Sequence, residues 1–293
     1  MTSPQDHESH EGNELDRLLN DNHPAAQPRE QAPDIAGGHS REYSEWDPRS
    51  APATYLLISI NVAVFLWMTT HGVSIRDPTP QQLIHYGANS PLLILSGEWW
   101  RLLTATFVHI GIIHIATNLW CLWNLGLLGE PLLGPLGILA VYVLTGIAGN
   151  LLSLGWDVGY AVAMRSPQDL VGAVGAGASG AVFGLAGILI VLLSNRRLPI
   201  PWSELKRLRT SVIRFAALNL IIGASTILPV LGSVVRIDNS AHVGGFLYGL
   251  ALGPALIPRM TAGRASYLKR QRIVFFAGAF VLALIGYYVS SLV

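Results

Sequence analysis

Seven predominantly apolar stretches recur along the chain, near residues 53–70, 112–129, 136–155, 177–195, 212–231, 240–257 and 273–292. Each approaches the roughly 20 residues a helix needs to cross a bilayer. The pattern predicts an all-α polytopic membrane protein. The second stretch lies within a longer apolar run from Leu102 to Leu128, which follows a semi-polar stretch, 71–101, containing Asp77, Pro78, Pro80, Glu98 and Arg101. This stretch reads as a loop dipping into the outer interface before the helix proper, and a structureless segment of that length is usually functional. Residues 1–50 show no apolar periodicity. They are rich in Asp, Glu, Pro, Gln and His, leaving too little burial to offset the entropy of ordering them, so a disordered tail is expected.

Composition sharpens this picture. Of 293 residues, 51% are hydrophobic and 13% charged, and the mean hydropathy of +0.43 excludes an ordinary soluble domain. The net charge of +1 conceals an asymmetry: residues 1–50 hold eleven of the eighteen acids and four bases, leaving seven acids and fifteen bases for the rest. An acidic tail therefore precedes a basic membrane body. The tail lacks the basic start and apolar core of a secretory signal, and it is too acidic for a mitochondrial presequence. Its histidines, His7, His10, His23 and His39, are irregularly spaced and read as solvated. The single cysteine, Cys121, excludes an intrachain disulfide and a multi-cysteine metal cluster and reads as a small buried hydrophobe. No metal and no other cofactor is expected, and the bilayer rather than a nucleic acid is the expected partner.

Two basic loops set the orientation. Arg196, Arg197, Lys206, Arg207 and Arg209 form one, and Arg259, Arg264, Lys269, Arg270 and Arg272 the other. Both are expected in the cytoplasm. They are separated by an even number of crossings, so the N-terminus is expected inside and the C-terminus outside. The second, fourth and sixth helices then run inward from the outer face. His114 with Asn118, Ser179, and His242 fall in the first turns of these three helices and share a depth near the outer side.

Polar groups at membrane depth are costly and mark function by default. A serine hydroxyl needs a base, and the oxyanion formed on acyl attack needs preorganised donors. His242 is placed to take the proton of Ser179. The backbone N–H of Ser179, near a helix N-terminus, has no intrahelical acceptor. His114 and Asn118, four apart, share a helix face and can donate to one oxygen. Phe183, four residues after Ser179, can wall or stack on the imidazole. Gly177, Gly180 and Gly184 on one helix, with Gly245 and Gly249 on another, permit the close approach that short side chains require. Asp238, four before His242, reads as an outer-loop residue rather than a third catalytic member. Taken alone, a Gly-Ala-Ser run signals packing. The coincidence of complementary groups at one depth on parallel helices is what points to chemistry.

These residues resemble those of the rhomboid intramembrane serine proteases. His109-Ile-Gly-Ile-Ile-His114-Ile-Ala-Thr-Asn118 is similar to the family's His-x4-His-x3-Asn motif, and Gly126-Leu-Leu-Gly-Glu130-Pro-Leu-Leu-Gly134 to its Gly-x3-Glu-x3-Gly motif. Gly177-Ala-Ser179-Gly180 resembles the nucleophile motif, Ala241-His242-Val-Gly-Gly245-Phe-Leu-Tyr-Gly249 the base helix, and Trp100-Arg101 the pair in the first outer loop. The likeness covers about residues 53–257. It implies a rhomboid-like core of six transmembrane helices around a water-filled cavity, plus a seventh C-terminal helix outside the core. It further implies Ser179 as nucleophile, His242 as base, and His114, Asn118 and the Ser179 N–H as oxyanion donors. Where bacterial members commonly stack a tyrosine on the imidazole, this chain has Phe183. His109 and Arg101 are expected to order the first loop, and Glu130 to bond exposed backbone groups.

The expected organisation is a disordered acidic cytoplasmic tail at 1–50, a protease core at 51–258, and a basic loop with the seventh helix at 259–293. The expected function is an intramembrane serine endopeptidase that cleaves transmembrane protein substrates near the outer side of the membrane. The expected location is a bacterial plasma membrane. The alternatives are a catalytically inactive rhomboid-like protein that binds membrane clients, and a transporter with a midplane polar site, for which the halves lack visible inverted-repeat symmetry.

Overall fold

The computed structural model describes residues 51–166, 170, 173–225, 238–257 and 263–292. The acidic tail, 1–50, lies outside the described residues, as do the end of the fifth apolar stretch and Arg259. Within them the structure is helical: α1 (Pro52–Thr70), α2 (Pro80–His85), α3 (Pro91–Leu95), α4 (Arg101–Thr104), α5 (Gly111–Leu133), α6 (Pro135–Met164), α7 (Ser179–Leu192), α8 (Trp202–Ser225), α9 (Asn239–Leu256) and α10 (Arg264–Ser290). Among the described residues, strand-like pairing is limited to one isolated bridge between Asn89 and Gly175.

Helices α1, α5, α6 and α10 are long and apolar enough to cross a membrane. Helix α8 begins with a charged half, and α9 is diluted by glycine and by Asn239, Ser240 and His242. Helix α7 is apolar but has only 14 residues. It therefore rises about 21 Å, short of the roughly 30 Å hydrocarbon core. Set along the membrane normal with Arg196 and Arg197 at one surface, a helix of this length would start roughly 9 Å inside the apolar layer.

The segment between α1 and α5 differs from the structureless loop its polarity suggests. Pro80 and Pro91 open α2 and α3 at their first positions, where a proline costs no hydrogen bond and its fixed φ favours the helix. Thr79 and Gln82 cap α2 reciprocally, at 3.2 and 3.0 Å. Arg101, buried, pairs with Glu98 at 2.7 Å. Its Nη1 also donates to the carbonyls of Ile84, at 2.7 Å, and Ala88, at 3.2 Å.

Helix α7 is the centre of the bundle, in contact with α5, α6, α8 and α9. Its neighbours approach it backbone to backbone. A side-chain carbon added at Gly245 or Gly249 of α9 would run into the carbonyl of Gly180 or Gly184 on α7. One added at Gly253 would meet Val191. Contacts therefore advance together along both chains, and α7 and α9 are parallel. Helix α5 shares that direction, since its N-terminal His114 faces Gly177 and its later Gly129 faces Leu189. The first turns of α5, α7 and α9 accordingly meet at one level. Around them the core is filled by Leu122, Ile138, Tyr142, Leu185, Ile188 and Leu189, all fully buried.

Two helix ends are completed from a distance. Helix α1 lacks a side-chain cap of its own, and the buried Glu130 of α5 supplies one. Its carboxylate accepts from Ala53 N–H at 2.9 Å, Thr54 N–H at 2.8 Å and Thr54 Oγ1 at 2.7 Å, placing an anion at the positive end of the helix dipole. At the other end of the bundle, α10 caps the C-termini of α5 and α9. Tyr267 Oη lies 3.4 Å from the Leu132 carbonyl and 3.2 Å from that of Leu256, Gln271 Nε2 donates to Leu133 O at 2.8 Å, and Arg270 donates to Ile257 O.

Candidate active site

The turn that leads into α7 is fixed from two sides. Gly177 has φ +129°, a conformation that favours glycine, and any added side chain there would strike the His114 imidazole. Gly177 N–H donates to Ala105 O at 2.9 Å. Ala178 N–H donates to His109 Nε2 at 3.4 Å. With that nitrogen accepting, the His109 proton belongs on Nδ1, 3.1 Å from the Phe107 carbonyl. Ser179 follows as the first residue of α7, half-buried. Its backbone N–H belongs to the first turn, where intrahelical acceptors are missing and the dipole is positive.

His114 faces this turn directly, its ring against Gly177. Its Nδ1 accepts from Ile110 N–H at 3.3 Å, which assigns the proton of the neutral ring to Nε2. That nitrogen is the one turned toward Gly177, 2.9 Å from where a side-chain carbon would begin. Asn118, one turn further along α5, is buried and donates one amide hydrogen to His114 O at 3.0 Å. Its second amide hydrogen remains for another acceptor.

His242 lies in the first turn of α9 and is 5% exposed. Its ring is stacked on Phe183, with centroids 4.4 Å apart and planes at 14°. Among the described residues its Nδ1 is buried with no hydrogen-bond partner, and Ser179 Oγ makes no hydrogen bond to the ring. Asp238 is otherwise engaged. Its Oδ1 accepts from Ala241 N–H at 2.9 Å and its Oδ2 from Ser153 Oγ at 2.5 Å, making it the N-cap of α9 and a tie to α6.

Gly180, Gly245 and Gly249 are the contact points that bring α9 to α7. Trp100 and Arg101 stand apart from this group. The Arg101 guanidinium lies 4.5 Å from the Trp100 ring centroid and serves loop carbonyls. Glu130 serves the start of α1. Two contributions escaped the sequence reading: the Asp238 to Ser153 tie and the capping by α10. The first had a local signal, since Asp238 stands three residues before Ala241, the spacing of an N-cap. The second had none.

A polytopic helical membrane protein in which a short central helix opens on Ser179, with one histidine against the Gly177 turn and another stacked on Phe183, defines a class. The chain belongs to the rhomboid family: residues 96–259 match the Rhomboid domain. It is similar to the Rhomboid protease GluP of Bacillus subtilis (strain 168), 34% identical over 230 residues, which is 78% of this chain and 39% of that protein. It also resembles the Rhomboid-like protease 2 of Toxoplasma gondii, 31% identical over 74% of this chain and 72% of that protein. The Rhomboid protease AarA of Providencia stuartii is 30% identical over 70% of this chain and 72% of that protein.

Proposed function

We propose that the chain is an intramembrane serine endopeptidase with Ser179 as nucleophile and His242 as general base. The observation that carries this reading is the His242 ring stacked on Phe183, one helical turn after Ser179. That stack supports a base carried on α9 against the first turn of the parallel α7, where Ser179 stands. On attack at a carbonyl, His242 takes the Oγ proton while the new anion is met by the Ser179 N–H, His114 Nε2–H and the free amide hydrogen of Asn118. His242 then delivers the proton to the departing amine, leaving an acyl-enzyme. It next deprotonates a water that releases the acyl group and restores Ser179.

The substrates in this reading are transmembrane proteins. Helices hide their carbonyls in hydrogen bonds, so a cleavable segment must unwind, which favours stretches weakened by glycine or proline. Cleavage falls near the outer side, because with α7 set along the membrane normal Ser179 starts roughly 9 Å below one surface and the basic loops belong to the opposite, cytoplasmic side. The protease core is then 51–258, preceded by the acidic tail and followed by the basic segment and α10. The location that fits is a bacterial plasma membrane.

The test is reconstitution of the full chain with a labelled single-span substrate. Wild type should cut it, and Ser179→Ala and His242→Ala should not. Equal cleavage by wild type and Ser179→Ala would sink the assignment. Failure of Ser179 to react with a fluorophosphonate, with client binding retained, would favour the inactive client-binding alternative.

A further inference from the structure

The placement of the His242 ring depends on how the first turn of α9 is seated. A base is ordinarily oriented by a third group, but His242 Nδ1 is buried with no partner among the described residues. On the α7 side the turn rests on glycine contacts, and on the α6 side the backbones are equally close. A side-chain carbon at Gly149 of α6 would lie 2.6 Å from the Ala241 carbonyl, and one at Gly244 would lie 2.8 Å from the Ala148 carbonyl. Apolar contacts of this kind are non-directional. They set how near the helices come, and a directional bond is needed to stop one sliding along the other.

One side-chain hydrogen bond supplies that direction. Ser153, 6% exposed and one turn after Gly149 on α6, donates its hydroxyl to Asp238 Oδ2 at 2.5 Å. The other oxygen of Asp238 holds the N–H of Ala241, the residue before His242, at 2.9 Å. Asp238 Oδ2 also lies 3.2 Å from where a side-chain carbon on Gly175 would begin. Gly175 stands four residues before Ser179 and is paired in both directions with Asn89, at 2.8 and 3.0 Å. A single carboxylate thus rests against the segment that leads into Ser179 and caps the helix that carries His242. The Ser153 hydroxyl pins that carboxylate to α6.

Resting on the reading of Ser179 and His242 as nucleophile and base, we propose that Ser153 is a positioning residue: acting through Asp238, it fixes the first turn of α9 and so the placement of the imidazole. Without its hydroxyl, Asp238 still caps α9 but is free of α6. The ring then spends less time in the stacked position, and turnover falls while substrate binding does not.

The experiment uses the full-length protein and reads both reaction and placement. Steady-state cleavage of the labelled single-span substrate reports the reaction. The imidazole NMR signal of His242, identified in histidine-labelled protein by its absence from His242→Gln, reports placement whether or not substrate is cut, because the stacked Phe183 ring shifts it upfield. Ser153→Ala should lower the turnover number about tenfold, the weight of one hydrogen bond to a charged group. It should leave KM unchanged and move the His242 signal downfield. Asp238→Ala should lower turnover at least as far, and adding Ser153→Ala to it should cost nothing more, since residues that act as a unit are non-additive. Asp238→Asn should keep turnover, its amide donating to Ser153 Oγ in place of the reverse bond. An unchanged turnover number or an unmoved His242 signal in Ser153→Ala overturns the proposal, and so do losses that multiply in the double variant. A signal that moves in a protein that never cuts the substrate upholds the positioning role and overturns the protease reading instead. Rates are taken below the unfolding temperature of each variant. Should Ser153→Ala not fold, Ser153→Cys, which weakens the donor, carries the test with a smaller loss expected.

Discussion

The Phe183 ring lies nearly parallel to the His242 imidazole, centroids 4.4 Å apart, with both residues buried. Phe183 is fixed by α7 and His242 by α9, so the stack transmits the position of one helix to the functional group of the other. A stacked aromatic pair contributes about 0.5–1.5 kcal/mol beyond area burial. Phe183→Leu keeps most of the apolar volume and loses the flat face. It should lower turnover about tenfold with little change in KM, because substrate binding does not depend on the ring's orientation. Steady-state cleavage of a reconstituted substrate checks this, and an unchanged turnover number would show that the stack is packing alone.

Asp238 separates two roles that its sequence position leaves open. As the N-cap of α9 it accepts from Ala241 N–H at 2.9 Å, and its other oxygen takes the Ser153 hydroxyl. Asparagine caps a helix about as well as aspartate, whereas alanine costs about 0.5–2 kcal/mol. Asp238→Asn should therefore keep both stability and cleavage, and Asp238→Ala should lower the unfolding temperature. A third catalytic acid would behave differently, since the neutral amide could not support the imidazolium. Loss of cleavage in a fully folded Asp238→Asn protein is the outcome that would reinstate it.

Legibility in the sequence follows the range of the interaction. Each of the seven apolar stretches contains a helix, because hydrocarbon burial is a property of consecutive residues. The level shared by His114, Ser179 and His242 was accessible because helix direction alternates from span to span. Helices α2 and α3 were not, since Pro80 and Pro91 read as loop residues until their positions at N1 are known. Asp238 was visible as an acid near His242, but its acceptor duties depend on Ser153, 85 residues away. The capping by α10 joins residues 135 and 138 positions apart, beyond any local pattern.

Glu130 is a stability residue with a graded prediction. Its carboxylate accepts two backbone N–H groups and the Thr54 hydroxyl, all buried. Glu130→Ala strands those donors, and at about 1–3 kcal/mol for each unsatisfied group the loss should reach several kcal/mol. Glu130→Gln retains one acceptor oxygen and should fall between the alanine variant and wild type. Thr54→Val removes only the hydroxyl contact and should cost the least. The order of unfolding temperatures in detergent checks the scheme, and a Gln variant as unstable as Ala would show that charge, not acceptor count, governs the site.

Helix α10 lies outside the motif-bearing core, yet its first turns cap α9, the helix that carries His242. Tyr267 and Arg270 reach the Leu256 and Ile257 carbonyls, and Gln271 reaches Leu133 at the end of α5. Gln271 is 2% exposed, so its replacement by Leu leaves the Leu133 carbonyl without that donor in an apolar setting. The expected cost is about 1–3 kcal/mol. Tyr267→Phe removes a hydroxyl shared by two carbonyls and should cost a similar amount. Both should destabilise the fold while leaving reaction of Ser179 with a fluorophosphonate unchanged at temperatures where the protein stays folded, because the substitutions sit at the opposite end of α9 from His242. If either variant slows that reaction without lowering the unfolding temperature, α10 sets the position of α9 and so acts on the site itself.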